Sequence, residues 1–103
     1  MEITIKNIIK LVHELMRKDE CTMWVTSSCI WIYKENKVIL KLNYIKYANA
    51  LEIETLSGGM VLNLSESEYN LFRVLIDETK EYSKNKAKSD FFNLYNELSL
   101  IID

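Results

Sequence analysis

Residues 21–43 read CTMWVTSSCIWIYKENKVILKLN. Their apolar residues recur with a period of two, the repeat of a strand whose successive side chains point to opposite faces. A turn near Ser27 and Ser28 pairs Trp24 with Trp31, and a turn around Glu35 and Asn36 sets Tyr33 opposite Val38 and Trp31 opposite Leu40. In that register one face carries Trp24, Trp31, Tyr33, Val38, Leu40 and Leu42. The other carries Met23, Val25, Ile30, Ile32 and Ile39, with Lys34 and Lys41 towards its edges. Both faces are apolar, so whatever covers the second one decides between a self-contained monomer and a surface built for a partner.

Upstream, Ile5, Ile8, Ile9, Val12, Leu15 and Met16 recur at three- and four-residue intervals and predict a helix over about residues 4–18. Its opposite flank carries Lys6, Lys10, His13 and Arg17, with Glu14 placed to pair with Lys10 and Lys18. Downstream, Tyr44 to Asn49 fits either a bent strand or a connection. ALEIETL (50–56), SGG (57–59) and MVLNL (60–64) read as a further hairpin, with Gly58 and Gly59 supplying positive φ in its turn.

In LSESEYNLF (64–72), Ser65 followed three residues later by Glu68 forms a capping box, so a helix starts after Ser65. Leu71, Phe72, Leu75, Thr79 and Tyr82 form its expected buried stripe, opposite Glu66, Asn70, Arg73, Asp77 and Glu81. The polar SKNKAKSD (83–90) interrupts that pattern. Ser89 is placed to cap a third helix containing Phe91, Leu94, Tyr95, Leu98, Ile101 and Ile102, with Phe92 and Leu100 off its stripe. The expected fold is therefore α+β, a single domain over residues 1–103: an N-terminal helix, an antiparallel meander of about five strands, and two C-terminal helices packed on the sheet.

Hydrophobic residues make up 49% and charged residues 27% of the 103, with a formal net charge of −2. That balance is globular and directs the chain neither to nucleic acid nor to extreme acidity. The basic residues are lysines apart from Arg17 and Arg73. The abundance of Ile, Asn, Lys and Tyr suggests AT-rich codons, as in low-GC bacteria and their phages. Glu2, Lys6, Lys10 and Glu14 interrupt what a signal peptide would need as an apolar core, and no apolar run approaches the roughly 18–20 residues of a membrane span. A cytoplasmic location with reduced cysteines is expected. The register separates Cys21, across from Lys34, from Cys29, across from Thr26 on the other face, so no disulfide is expected.

No motif for catalysis stands out. His13 is the one histidine and has no triad-like partner in the sequence, and zinc sites need three or four close ligands. Cys21 and Cys29 read as small strand hydrophobes. SGGM (57–60) joins two strands, whereas phosphate-cradling loops join a strand to a helix. Glu52 and Glu54 share a strand face that reads as solvated. The expectation is a protein that is not an enzyme, with no catalytic residue, metal or cofactor.

Two binding readings remain. Lys6, Lys10 and Arg17 on the first helix, with Lys84 and Lys86 further on, are candidate phosphate contacts for a nucleic-acid-binding module, although the net charge opposes it. Residues 62–76, LNLSESEYNLFRVLI, resemble over about fifteen positions the strand-to-first-helix segment of response-regulator winged-helix domains, where a capped helix follows a four-stranded sheet. The resemblance implies a transcription-regulator-like version of this reading and assigns no family. The second reading is docking on protein. Burying one Trp of about 200 Å² contributes up to roughly 5 kcal/mol, so Trp24, Trp31 and Tyr33 together call for a cover, either a helix of the same chain or another chain. Those three, with Phe92 and Leu100, are the expected partner contacts, and a homodimer is one candidate assembly. Size and plainness are analogous to small phage or mobile-element proteins that inhibit a host enzyme or defence complex.

Overall fold

The computed structural model describes residues 2–102, the side chains of Ile101 and Ile102 excepted. A helix, α1 (Ile5–Lys18), is followed by strands β1 (Thr22–Val25), β2 (Cys29–Lys34) and β3 (Lys37–Ile45). A short 3₁₀ turn (Lys46–Ala48) leads into β4 (Ala50–Thr55) and β5 (Gly58–Asn63), and a long helix, α2 (Glu66–Ile102), completes the described chain. The strands form one antiparallel sheet in the order β1-β2-β3-β4-β5, the meander expected from the sequence.

Local chemistry explains the boundaries. Thr4 caps α1 by accepting from the Asn7 N–H at 3.2 Å, and Asp19 ends the helix in the left-handed conformation (φ 54°), its N–H returning to the carbonyls of Leu15 and Met16. Between β2 and β3, Glu35 and Asn36 both take positive φ, 52° and 65°, as a two-residue hairpin turn with the native twist requires. At the β1–β2 turn the Thr26 hydroxyl accepts from the N–H groups of Ser28 and Cys29. In the last hairpin the turn is Leu56–Ser57; Gly58, at φ 146°, opens β5 rather than turning the chain, and Gly59 has no positive φ. The expected pair of positive-φ turn glycines is thus reduced to one, at a strand start.

The register corrects the expected faces. Trp24 lies opposite Trp31 and Tyr33 opposite Val38, as expected, but Leu40 pairs with Ile32 and Trp31 with Lys41. Ile39 is an extra residue between those pairs, a β-bulge, and from there on each side chain of β3 is exchanged between faces. Leu40 and Leu42 consequently join Met23, Ile30 and Ile32 on one face, which Leu51 and Ile53 of β4 extend. This is the core face. Ile5, Ile8 and Val12 of α1 and Phe72, Leu75 and Ile76 of α2 close over it, all buried. Thr79, the one buried polar residue of the helix stripe, returns its hydroxyl to the Leu75 carbonyl at 2.6 Å. Leu71, expected on that stripe, is 40% exposed, and Ile76 takes its place.

The expected third helix does not exist. Residues 83–90 are helical and α2 runs unbroken for 37 residues, about 55 Å at 1.5 Å per residue. Lys and Ala, half of SKNKAKSD, are good helix formers, and neither Gly nor Pro interrupts the stretch, so polarity alone does not end the helix. The N-terminal half lies on the sheet. It starts at the capping box, where the Glu68 N–H donates to Ser65 Oγ at 3.3 Å and the Ser65 N–H to Glu68 Oε1 at 2.9 Å. It is last tied down at the edge of β1: Ser83 donates to the Met23 carbonyl at 2.8 Å and Lys86 to the Cys21 carbonyl at 2.9 Å. Asp19 accepts from both the Tyr82 hydroxyl and Lys86. From Ala87 to Leu100 every residue except Ser99 is exposed. The radius of gyration, 16.1 Å, accordingly exceeds the ~13 Å of a compact chain of this length, and the longest extent is 56 Å.

Two measurements check this account. Ser65→Ala removes one half of the capping box and should lower stability to urea by about 1 kcal/mol without loss of fold. Asp19 sits below its ordinary value of 3.8, first because of the Tyr82 hydroxyl and then because of Lys86. A depressed carboxylate stabilises the fold above its unfolded-state value and loses that effect as pH falls through the folded one. The urea midpoint of Asp19→Asn should therefore lie below that of the parent at pH 7, with the gap narrowing once pH drops below about 3.8.

Candidate protein-binding surfaces

One face of the sheet is closed by the chain's own helices; the opposite face is not. The bulge has made most of that second face polar. Lys41 lies across from Glu54 and Asn43 from Glu52, so the centre of the face carries charge and amide groups. Cys29 is buried on this side beside them, and desolvation pushes its thiol pKa up; Cys21 belongs to the core, and both thiols are free. Large apolar residues remain only towards the margins.

At the β1–β2 corner Trp24 is 66% exposed, while its cross-strand neighbour Trp31 and Tyr33 are half-buried. Trp24 projects from a four-residue edge strand whose other face, through Met23, is held by the core, and no element among the described residues covers it. Trp24 and Tyr33 line a shallow depression of about 410 Å³ with Thr22, Asn36 and two acids, Glu20 and Glu35. Glu20 also pairs with Lys34 at 3.5 Å.

The second surface is the projecting half of α2. Phe91, Phe92, Leu94, Tyr95, Leu98 and Leu100 are between 46% and 85% exposed. The Phe91 ring meets Phe92 edge-on at 6.0 Å and stacks with Tyr95 at 6.5 Å, so the three rings make one aromatic cluster on an otherwise bare helix. Phe92 and Leu100 are as exposed as the sequence leads one to expect. Phe91, Leu94, Tyr95 and Leu98 were expected to face the sheet as the stripe of a separate helix; with α2 continuous, they face water. Ile101 and Ile102, the remainder of that stripe, have side chains outside the described residues.

A third apolar feature, a groove of about 580 Å³, lies between α1 and the sheet, lined by Ile3, Leu11, Leu40 and Ile53 with Lys10 and Glu14 at its border.

The candidate phosphate contacts do not gather. Lys6 and Lys10 are exposed on α1, and Lys84 is exposed on α2. Arg17 is forked onto Glu14, and Lys86 is held by Asp19 and the Cys21 carbonyl, so two of the five expected cations already have anionic or carbonyl partners in the chain. His13 contacts Glu78 of α2 at 3.0 Å, both 45% exposed, as a tie between the helices. Among the described residues no three His, Cys, Asp or Glu side chains converge as metal ligands, and no helix is long and apolar enough to cross a membrane.

Comparison of the chain with protein-family models, with curated proteins and with solved structures finds no match.

The exposure difference between the two tryptophans can be read in solution. Acrylamide quenching of the fluorescence should fall sharply in Trp24→Phe and much less in Trp31→Phe, since Trp24 supplies the solvent-facing emitter.

Proposed function

We propose that this chain is a non-catalytic protein-binding protein that docks the Trp24 corner, together with Phe92 and Leu100, against another protein. The observation that carries the reading is Trp24, 66% exposed beside Tyr33 and rimmed by Glu20 and Glu35. An exposed Trp beside a half-buried Tyr, with acids around both, has the composition of an interface anchor, since Trp and Tyr dominate binding energy where water is excluded around them. The acids add a preference for a partner that presents a basic residue next to an apolar one. Trp31 and Tyr33 support the anchor from the neighbouring strand. The class of protein suggested by size and codon-biased composition is a phage or mobile-element inhibitor of a host enzyme or defence complex, acting in the cytoplasm by occupying a surface rather than by chemistry.

The test is capture from the native host followed by reconstitution with the purified partner. Trp24→Glu should weaken the complex by about 30-fold or more, the scale of a hot-spot aromatic residue. Undiminished binding by Trp24→Glu would count against this surface. Capture of DNA or RNA in place of protein, weakening steeply between two salt concentrations, would favour the nucleic-acid reading through Lys6, Lys10 and Lys84 instead.

A further inference from the structure

We infer that the projecting half of α2 pairs with the same segment of a second copy of this chain, antiparallel, with Leu98 of each copy seated over Ala87 of the other. Its seam, Ala87, Phe91, Leu94 and Leu98, is a different face of the helix from Leu100, and it is independent of the Trp24 corner.

The first reason is stability. Among the described residues nothing supports the helix beyond Lys86, and an isolated helical segment of about 15 residues is marginal in water. Yet it displays Phe91 at 63%, Leu94 at 54%, Tyr95 at 60% and Leu98 at 46% exposure. With about 200–250 Å² for each fully exposed large side chain, these four present about 500 Å² per chain. Two copies together supply about 1,000 Å², the lower bound of a specific interface.

The second reason is spacing. Ala87, Phe91, Leu94 and Leu98 are separated by four, three and four residues, the a/d seam of a coiled coil, which fits a facing helix of the same period rather than a loop or a sheet. The third is a preformed hole. Lys84, Ala87, Lys88 and Phe91, at i, i+3, i+4 and i+7, line an apolar depression of about 500 Å³ together with Phe92. Four residues in this diamond are what receives one knob from a facing helix.

Direction follows from what each register stacks. With the helices antiparallel and Ala87 facing Leu98, Phe91 faces Leu94, so each layer joins a smaller to a larger group. A parallel pair stacks Ala87 on Ala87, leaving a void, crowds Phe91 on Phe91 and brings the lysines together. The antiparallel register also keeps the two sheet bodies about 20 Å apart along the helices at 1.5 Å per residue, and its two-fold symmetry closes at a dimer.

Sedimentation equilibrium of the full chain from 5 to 100 µM should give twice the 12.2 kDa chain mass. Leu98→Glu lies where nothing in the chain depends on it for folding; it should weaken dimerisation by about 100-fold or more, through burial of an unpaired charge, and reduce helical circular dichroism. Trp24→Glu should leave the dimer intact, which separates failure of this inference from failure of the partner-binding reading. Mild oxidation of a mixture of Ala87→Cys and Leu98→Cys chains should yield mainly the mixed disulfide. A monomer throughout the range, a dimer indifferent to Leu98→Glu, or mainly like-with-like disulfides would each overturn it.

Discussion

Ile39 is an extra residue between the pairs Ile32–Leu40 and Tyr33–Val38, and the two faces of the sheet are sorted from that point onward. A strand has only two sides, so displacing a strand by one residue moves every later side chain across the sheet. Leu40 and Leu42 thereby lie with Met23, Ile30 and Ile32 under the helices, while Lys41 and Asn43 go to the open side. Without the bulge the core face would lose two leucines and gain a lysine, and the open face would be greasy across its width. The device concentrates the open face's aromatic surface at the β1–β2 corner.

The helices divide their work according to what the sheet leaves open. α1 and the first half of α2 complete the core, and the side chains of Ser83 and Lys86 satisfy the carbonyls of Met23 and Cys21 along the β1 edge. An edge strand closed in this way cannot recruit another strand there. The same anchoring sets the departure point of α2: Tyr82 and Lys86 converge on Asp19, which is itself fixed in the left-handed conformation that ends α1. Past Lys86, nothing among the described residues holds the helix.

Much of this was legible in the residues. The α1 stripe, the Glu35–Asn36 turn, the strand order and the Ser65–Glu68 capping box each depend on interactions between neighbours in sequence, and each reads directly. The bulge does not, because an inserted residue leaves the local alternation almost unchanged and shows only once a partner strand supplies the register. Helix continuity through residues 83–90 was hidden for a related reason: a polar stretch breaks the amphipathic pattern but not the backbone, since backbone hydrogen bonding is indifferent to which face is apolar. The same interruption affects part of the site: Phe92 and Leu100 read as off-stripe, whereas Phe91, Leu94, Tyr95 and Leu98 read as a sheet-facing stripe and are instead exposed.

Because α2 leaves the body as one unbroken rod, the direction in which its far end looks is set by residue count. Each residue added or removed between Lys86 and Phe91 would swivel the aromatic cluster by about 100° around the rod and shift it by about 1.5 Å. Seven residues would lengthen the rod by about 10 Å and return the cluster to within about 20° of its original bearing. The far end is thus a shaft whose angular phase is more sensitive to residue count than its reach.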